Sequence, residues 1–164
     1  MPVVSNTSPL LNLAIIGELD RVREQVGTVL VPEAVVDEWL LSTNRPGTAA
    51  LQQALDEGWV EVIAISNRAM VHVLRRELDQ GEAEALTLAV ERHASLVLLD
   101  EREARCVART LKVPVTGALG ILLRARREGT LGSLQQAMHR LRVEAGFWIA
   151  PALEADLLQQ VGES

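Results

Sequence analysis

Short runs rich in valine and leucine alternate along the chain with longer stretches in which apolar residues recur at helical spacing, so strands and helices are expected to follow one another. Val3 and Val4 open a strand that ends at Ser5 and Asn6. Ser8 before Pro9 reads as a capping hydroxyl followed by proline in the first turn, which starts a helix over residues 9–16 that Gly17 breaks. Residues 18–25 resume helical spacing up to Gly27, and residues 28–31 form a β-branched run suited to a buried strand. Another helix begins at Pro32, with Val35, Val36, Trp39 and Leu40 on one face and Asp37 and Glu38 beside them. Residues 43–47 read as a turn, and residues 48–56 as a helix closed by Gly58.

Further strands are expected over residues 60–65, 96–99 and 113–116. Helices are expected over 67–78, 82–92, 101–111, 117–127, 133–144 and 151–161, with Gly81 as the break before Glu82. Alternation over the whole length predicts an α/β fold, a parallel sheet covered on both faces with right-handed crossovers. At 164 residues and 48% hydrophobic content, one domain over residues 1–164 is expected, with one site.

Composition narrows the function. The apolar runs are far shorter than the roughly 20 residues a membrane helix needs, and no basic leader precedes an apolar run, so a cytoplasmic protein is expected. Cys106 is alone, which excludes an internal disulfide and a thiolate zinc cluster, and it reads as a small buried hydrophobe. His72, His93 and His139 are too far apart in sequence to suggest ligand spacing. A net charge of −6 argues against a long phosphate footprint, and 2% aromatic residues argue against a passive single-strand binder built on stacking platforms.

Ligands of open parallel sheets collect outside the carboxyl ends of the strands. Asn6, Asp100 and Thr116 each follow or end a strand there, and Glu38 and Glu82 lie on helices that could lean over the same edge. Carboxylates crowded into such a place raise one another's pKa unless a cation is present. Oxygen donors without Cys or His suit Mg²⁺ or Mn²⁺, which can activate a water against a phosphodiester. Each residue has a plainer reading too: Glu38 and Glu82 as solvated helix residues, Asp100 and Ser8 as caps, Glu84 and Glu91 as solvated helix faces. Arg124, Arg126 and Arg127 form a basic group that could touch phosphate or serve as surface charge.

Several segments carry a family resemblance. The opening Val-Val-Ser-Asn-Thr-Ser-Pro-Leu-Leu, the stretch from Pro32 to Trp39 with Glu38, the run from Gly81 to Leu86 and the strand end Leu98-Leu99-Asp100-Glu101 together resemble the PIN-domain family. More closely they are similar to its VapC-like toxin ribonuclease branch, where residues 117–124 also have a counterpart. The resemblance implies a three-layer α/β/α sandwich with a central parallel sheet and a Mg²⁺- or Mn²⁺-dependent ribonuclease. It also implies an RNA substrate, a small antitoxin protein as partner, and a homodimer. The four acidic positions of the family fall on Asn6, Glu38, Glu82 and Asp100, with Glu103 in reserve, and these are the expected metal ligands. Thr7 and Ser8 match the hydroxyls beside the first acid, and with Thr116 and Arg124 they make the expected substrate contacts.

Asn6 departs from the family, which has an aspartate there. An amide oxygen can still ligate a metal but carries no charge, which weakens the hold on Mg²⁺. Two readings follow: a metal-dependent ribonuclease with a metal-activated water, and a catalytically silent PIN-like domain that binds a partner protein or RNA. A phosphatase or nucleotide binder lacks the Gly-rich phosphate loop it would need.

Overall fold

A computed structural model of the chain describes residues 2–41 and 44–164. Five strands, β1 (Val3–Ser5), β2 (Val29–Pro32), β3 (Val60–Ile63), β4 (Leu96–Leu98) and β5 (Val115–Thr116), pair in parallel in the order β3-β2-β1-β4-β5. The helices are α1 (Thr7–Ile15), α2 (Asp20–Val26), α3 (Glu33–Leu41), α4 (Thr48–Glu57) and α5 (Arg68–Leu74), then α6 (Gln80–Glu91), α7 (Arg102–Thr110), α8 (Ala118–Arg127), α9 (Leu134–Glu144) and α10 (Pro151–Gln160).

Successive strand side chains point to opposite faces, and the core divides accordingly. Val3, Val29, Val31, Val60 and Leu98 pack with Leu10, Trp39, Leu51, Leu122 and Met138 from the helices of one layer. Val4, Val97 and Leu99 pack on the other face with Leu86 and Leu88 of α6 and Ala104 and Ala108 of α7. The result is the expected three-layer α/β/α sandwich. No helix among the described residues is long and apolar enough to cross a membrane.

Strand order reverses between β1 and β4: β2 and β3 extend one way from β1, β5 the other way from β4. Helices leave the sheet on diverging paths at such a switch point, which opens a crevice beyond the strand ends. Ser5, Leu98 and Thr116 stand level in the register, and the Asn6 N–H donates to the Leu98 carbonyl at 3.1 Å. Asn6 and Asp100 therefore flank the crevice.

Some local expectations are corrected. Ser8 caps nothing: α1 begins at Thr7, so Ser8 lies within the first turn and Asn6 takes the N-cap position. Gly81 is not a break, because Asp79 starts α6 earlier. Its side chain accepts from the Glu82 N–H at 2.8 Å while the Glu82 carboxylate accepts from the Asp79 N–H at 3.0 Å, a capping box that draws Gly81 into the first turn. Cys106 is exposed, not buried. The buried stripe of α7 is Ala104 and Ala108, and residue 106, midway between them, faces the other way. The turn expected over residues 43–47 lies outside the described residues at Thr43.

Candidate functional site

An N-cap asparagine ordinarily turns its side-chain oxygen back to a free N–H of the first helical turn. Asn6 makes no such bond, and its Oδ1 is buried without a hydrogen-bond partner. Glu38, near the end of α3, reaches the same place. Glu38 Oε1 and Asn6 Oδ1 lie 2.5 Å and 2.9 Å from the point where a Cβ on residue 81 would stand. Gly81 thus leaves room for two oxygens over the first turn of α6, where the helix dipole favours negative charge. The Thr7 hydroxyl donates to the other Glu38 oxygen at 2.7 Å and fixes the carboxylate's orientation. Burial raises the Glu38 pKa above the ordinary value, the Thr7 bond lowers it, and the charge of Asp79 raises it again.

Glu82 is buried and committed to the capping box. Burial raises its pKa, the bond from the Asp79 N–H lowers it, and the charges of Asp79 and Glu101 raise it. Asp100, just past β4, accepts from the Ala118 N–H at 2.8 Å and from the Asn12 side-chain amide at 3.1 Å. A Cβ on Gly117 would lie 2.5 Å from Asp100 Oδ1, so glycine is what lets the backbone come this close. Burial raises the Asp100 pKa; the bonds from Ala118 and Asn12 and the charge of Arg105 lower it, and Glu101 raises it.

The structure brings Asn6 and Glu38 to one point, while Glu82 and Asp100 connect to it only through the charges of intervening carboxylates. Glu38 feels Asp79, Asp79 and Glu82 cap each other, and Glu101 acts on both Glu82 and Asp100. Among the described residues, no three Asp, Glu, His or Cys side chains gather closely enough to hold a metal ion by themselves. Mg²⁺ commonly takes only one or two carboxylates and completes its shell with waters and substrate oxygens. The orphaned Asn6 oxygen beside Glu38 fits such a partial, oxygen-only shell.

Thr116 borders a cleft beside Asp100, its hydroxyl close over Gly120. Glu103 is exposed in the first turn of α7. Ser8 is half-buried in the first turn of α1. The basic group in the last turn of α8 is occupied elsewhere: Arg124 pairs with Glu128 at 2.6 Å, Arg126 with Glu163 at 3.0 Å, and Arg127 bonds Gln160 at 2.5 Å.

Glu84, read as solvated, is corrected, while Glu91, read the same way, is half-buried. Every residue from Gly81 to Ala89 is buried, because α6 is covered on nearly all sides. Glu84 accepts from the Ala34 N–H at 3.3 Å and from Gln80 at 2.5 Å, and pairs with Arg68 at 3.5 Å. It caps the start of α3 from α6 and so sets the helix that carries Glu38. Glu91 accepts from the Ser66 and Asn67 N–H groups at 2.9 Å and 2.5 Å. The sequence reading also passed over Asp79, though its spacing to Glu82 is that of a capping box. Asn12, Glu101 and Arg105 carry no comparable signal.

No curated protein matches the chain. The family model described as DUF3368: PIN domain matches residues 2–163, nearly the whole length. With the acids at the sheet's switch point and a match of this extent, the chain belongs to the PIN-domain family.

Proposed function

We propose that this protein is a metal-dependent ribonuclease whose site is built from Asn6, Glu38, Glu82 and Asp100. Membership of the PIN-domain family points to a nuclease acting on RNA, and the observation that carries the reading here is the buried, unpartnered Asn6 Oδ1 facing the same point as Glu38 Oε1. Asn6 and Glu38 would hold Mg²⁺ or Mn²⁺ directly. Bound there, the ion supplies neutralisation of phosphodiester charge and activation of a water. Thr7 holds the Glu38 carboxylate in place, the amide of Ala118 and the side chain of Asn12 hold Asp100, and the Asp79 N–H holds Glu82. Burial raises the pKa of each of these carboxyls in the metal-free chain, a penalty on the charged form that a bound cation would relieve.

The neutral Asn6, and the lack of a three-acid group among the described residues, favour a second reading, a silent domain that binds RNA or a protein without cutting. Calorimetric titration with Mn²⁺ and cleavage of single-stranded RNA separate the two. The nuclease reading expects metal binding and cutting that Glu38→Gln abolishes and Asn6→Asp strengthens. Absence of both in the wild type and in Asn6→Asp overturns it. On the resemblance of its opening and helix-start segments to the VapC-like branch, the protein acts in the cytoplasm as a homodimeric toxin held by a small antitoxin. Growth arrest on expression, relieved by a neighbouring gene, tests that role.

A further inference from the structure

Beside Asp100 lies a cleft of about 650 Å³, within the range of ligand sites. One wall is α7, from which Arg102, Arg105 and Arg109 face the cleft. Their spacing puts all three on one side of the helix. The other wall is the segment joining α9 to α10, which supplies Phe147 and Trp148. We propose that this cleft is a subsite for single-stranded RNA, with phosphates along the three arginines and a base stacked on Trp148.

Charge favours this occupant. The chain has 22 acidic against 16 basic residues, yet the cleft collects three cations and one acid, Asp100. Most arginines on the other helices are tied to carboxylates, as Arg21, Arg23, Arg68, Arg140 and Arg142 are. Among the described residues Arg102 and Arg109 are in no such pair; Arg105 bonds the Leu99 carbonyl at 3.3 Å and its charge is shared with Asp100. Arg102 also stands in the first turn of α7, where the helix dipole disfavours a cation. Stability does not account for it there, and an anionic ligand does.

The aromatic wall carries the second half. Trp148 is 77% exposed, whereas Trp39 and Trp59 are 4% and 6% exposed. Half of the chain's four aromatic residues, Phe147 and Trp148, are adjacent and face the arginine row. An exposed ring opposite a row of guanidinium groups suits a strand whose bases are unstacked and whose phosphates run alongside. Duplex RNA offers no free base face. The subsite rests on the nuclease reading only in that Asp100 borders it; binding here needs neither Asn6 nor Glu38.

Binding of a short oligouridylate to the full chain in EDTA, read by tryptophan fluorescence and anisotropy over a salt series, tests the subsite apart from cleavage. Stacking on Trp148 should quench fluorescence, since the other two tryptophans are buried. Trp148→Ala should weaken binding roughly five- to hundred-fold and Trp148→Phe much less. Arg102→Gln with Arg109→Gln should lower the salt slope by about 1.4. All these side chains are exposed, so the variants should keep the wild-type melting curve. Unchanged RNA affinity in both variants, equal binding of a duplex, or binding of an acidic apolar peptide in place of RNA overturns the proposal. RNA binding without any metal-dependent cutting would uphold the subsite while overturning the nuclease.

Discussion

Gly81→Ala separates the site's geometry from the fold's stability. The new Cβ would stand 2.5 Å from Glu38 Oε1 and 2.9 Å from Asn6 Oδ1, well inside the 3.4–4 Å of ordinary contact. Something must move, and the far end of Glu38 moves most easily. Displacing it strains or breaks its bond with Thr7, worth about 1.5–3 kcal/mol for a charged acceptor. Alanine returns up to about 1 kcal/mol of helix propensity over glycine. The expected net cost is ~1–2 kcal/mol, or roughly 2–8 °C in Tm for a chain of this size. Moving a carboxylate away from a metal position costs more in function, about 10–100-fold in affinity by analogy with disturbed ligand shells. Gly132→Ala is the control, since no atom lies within 4 Å of its added Cβ. Thermal melts and Mn²⁺ calorimetry on both variants check the expectation. Gly81→Ala that binds Mn²⁺ as tightly as wild type, or that loses no more affinity than Gly132→Ala, refutes it.

Glu84→Ala should lower stability by about 1–3 kcal/mol, since it strands the buried Ala34 N–H, and Tm by thermal melt should fall accordingly. Glu163 offers a pH test: burial raises its pKa, but bonds from the Leu134 and Gln135 N–H groups, Ser133 and Arg126 outweigh this and hold it at about 2. A depressed pKa stabilises the fold fully above the unfolded value of 4.5 and loses that contribution as pH falls towards about 2. Glu163→Gln should therefore cost ~1–2 kcal/mol at neutral pH, after allowing for solvent screening, and almost nothing near pH 2 in denaturant melts. Glu38 has the opposite sign: its raised pKa makes the charged form a cost to the metal-free fold, relieved as pH falls through the folded value. Mn²⁺ affinity, measured against pH, should begin to fall above the ordinary carboxylate value of 4.5; affinity constant down to that value would contradict the shift.

What the sequence made legible was the layer order and the strand ends, because period and turn residues are local. Runs such as Val29–Pro32, and Leu96–Leu98 before Asp100, are bounded by residues that also stop them in space. It failed where burial depends on the neighbour: Glu84 reads as solvated until α3 is seen to rest its first turn on it. Cys106 failed for the opposite reason, an apolar-looking position turned away from the sheet by the helical period. The Asn6–Glu38 convergence joins residues 32 positions apart and hinges on the missing side chain of Gly81, which no spacing rule encodes. Aromatic content of 2% hid Trp148, since a percentage says nothing of adjacency.

Strand order places Asn6 and Asp100 just past the ends of β1 and β4, and none of the four suspected ligands belongs to either packed core. A chain built this way can give up its reactivity, as an amide in place of an acid at position 6 would do, without loosening a single apolar contact. A melting curve reports the packed cores together with the burial of these carboxyls, so it does not by itself tell whether such a protein still works.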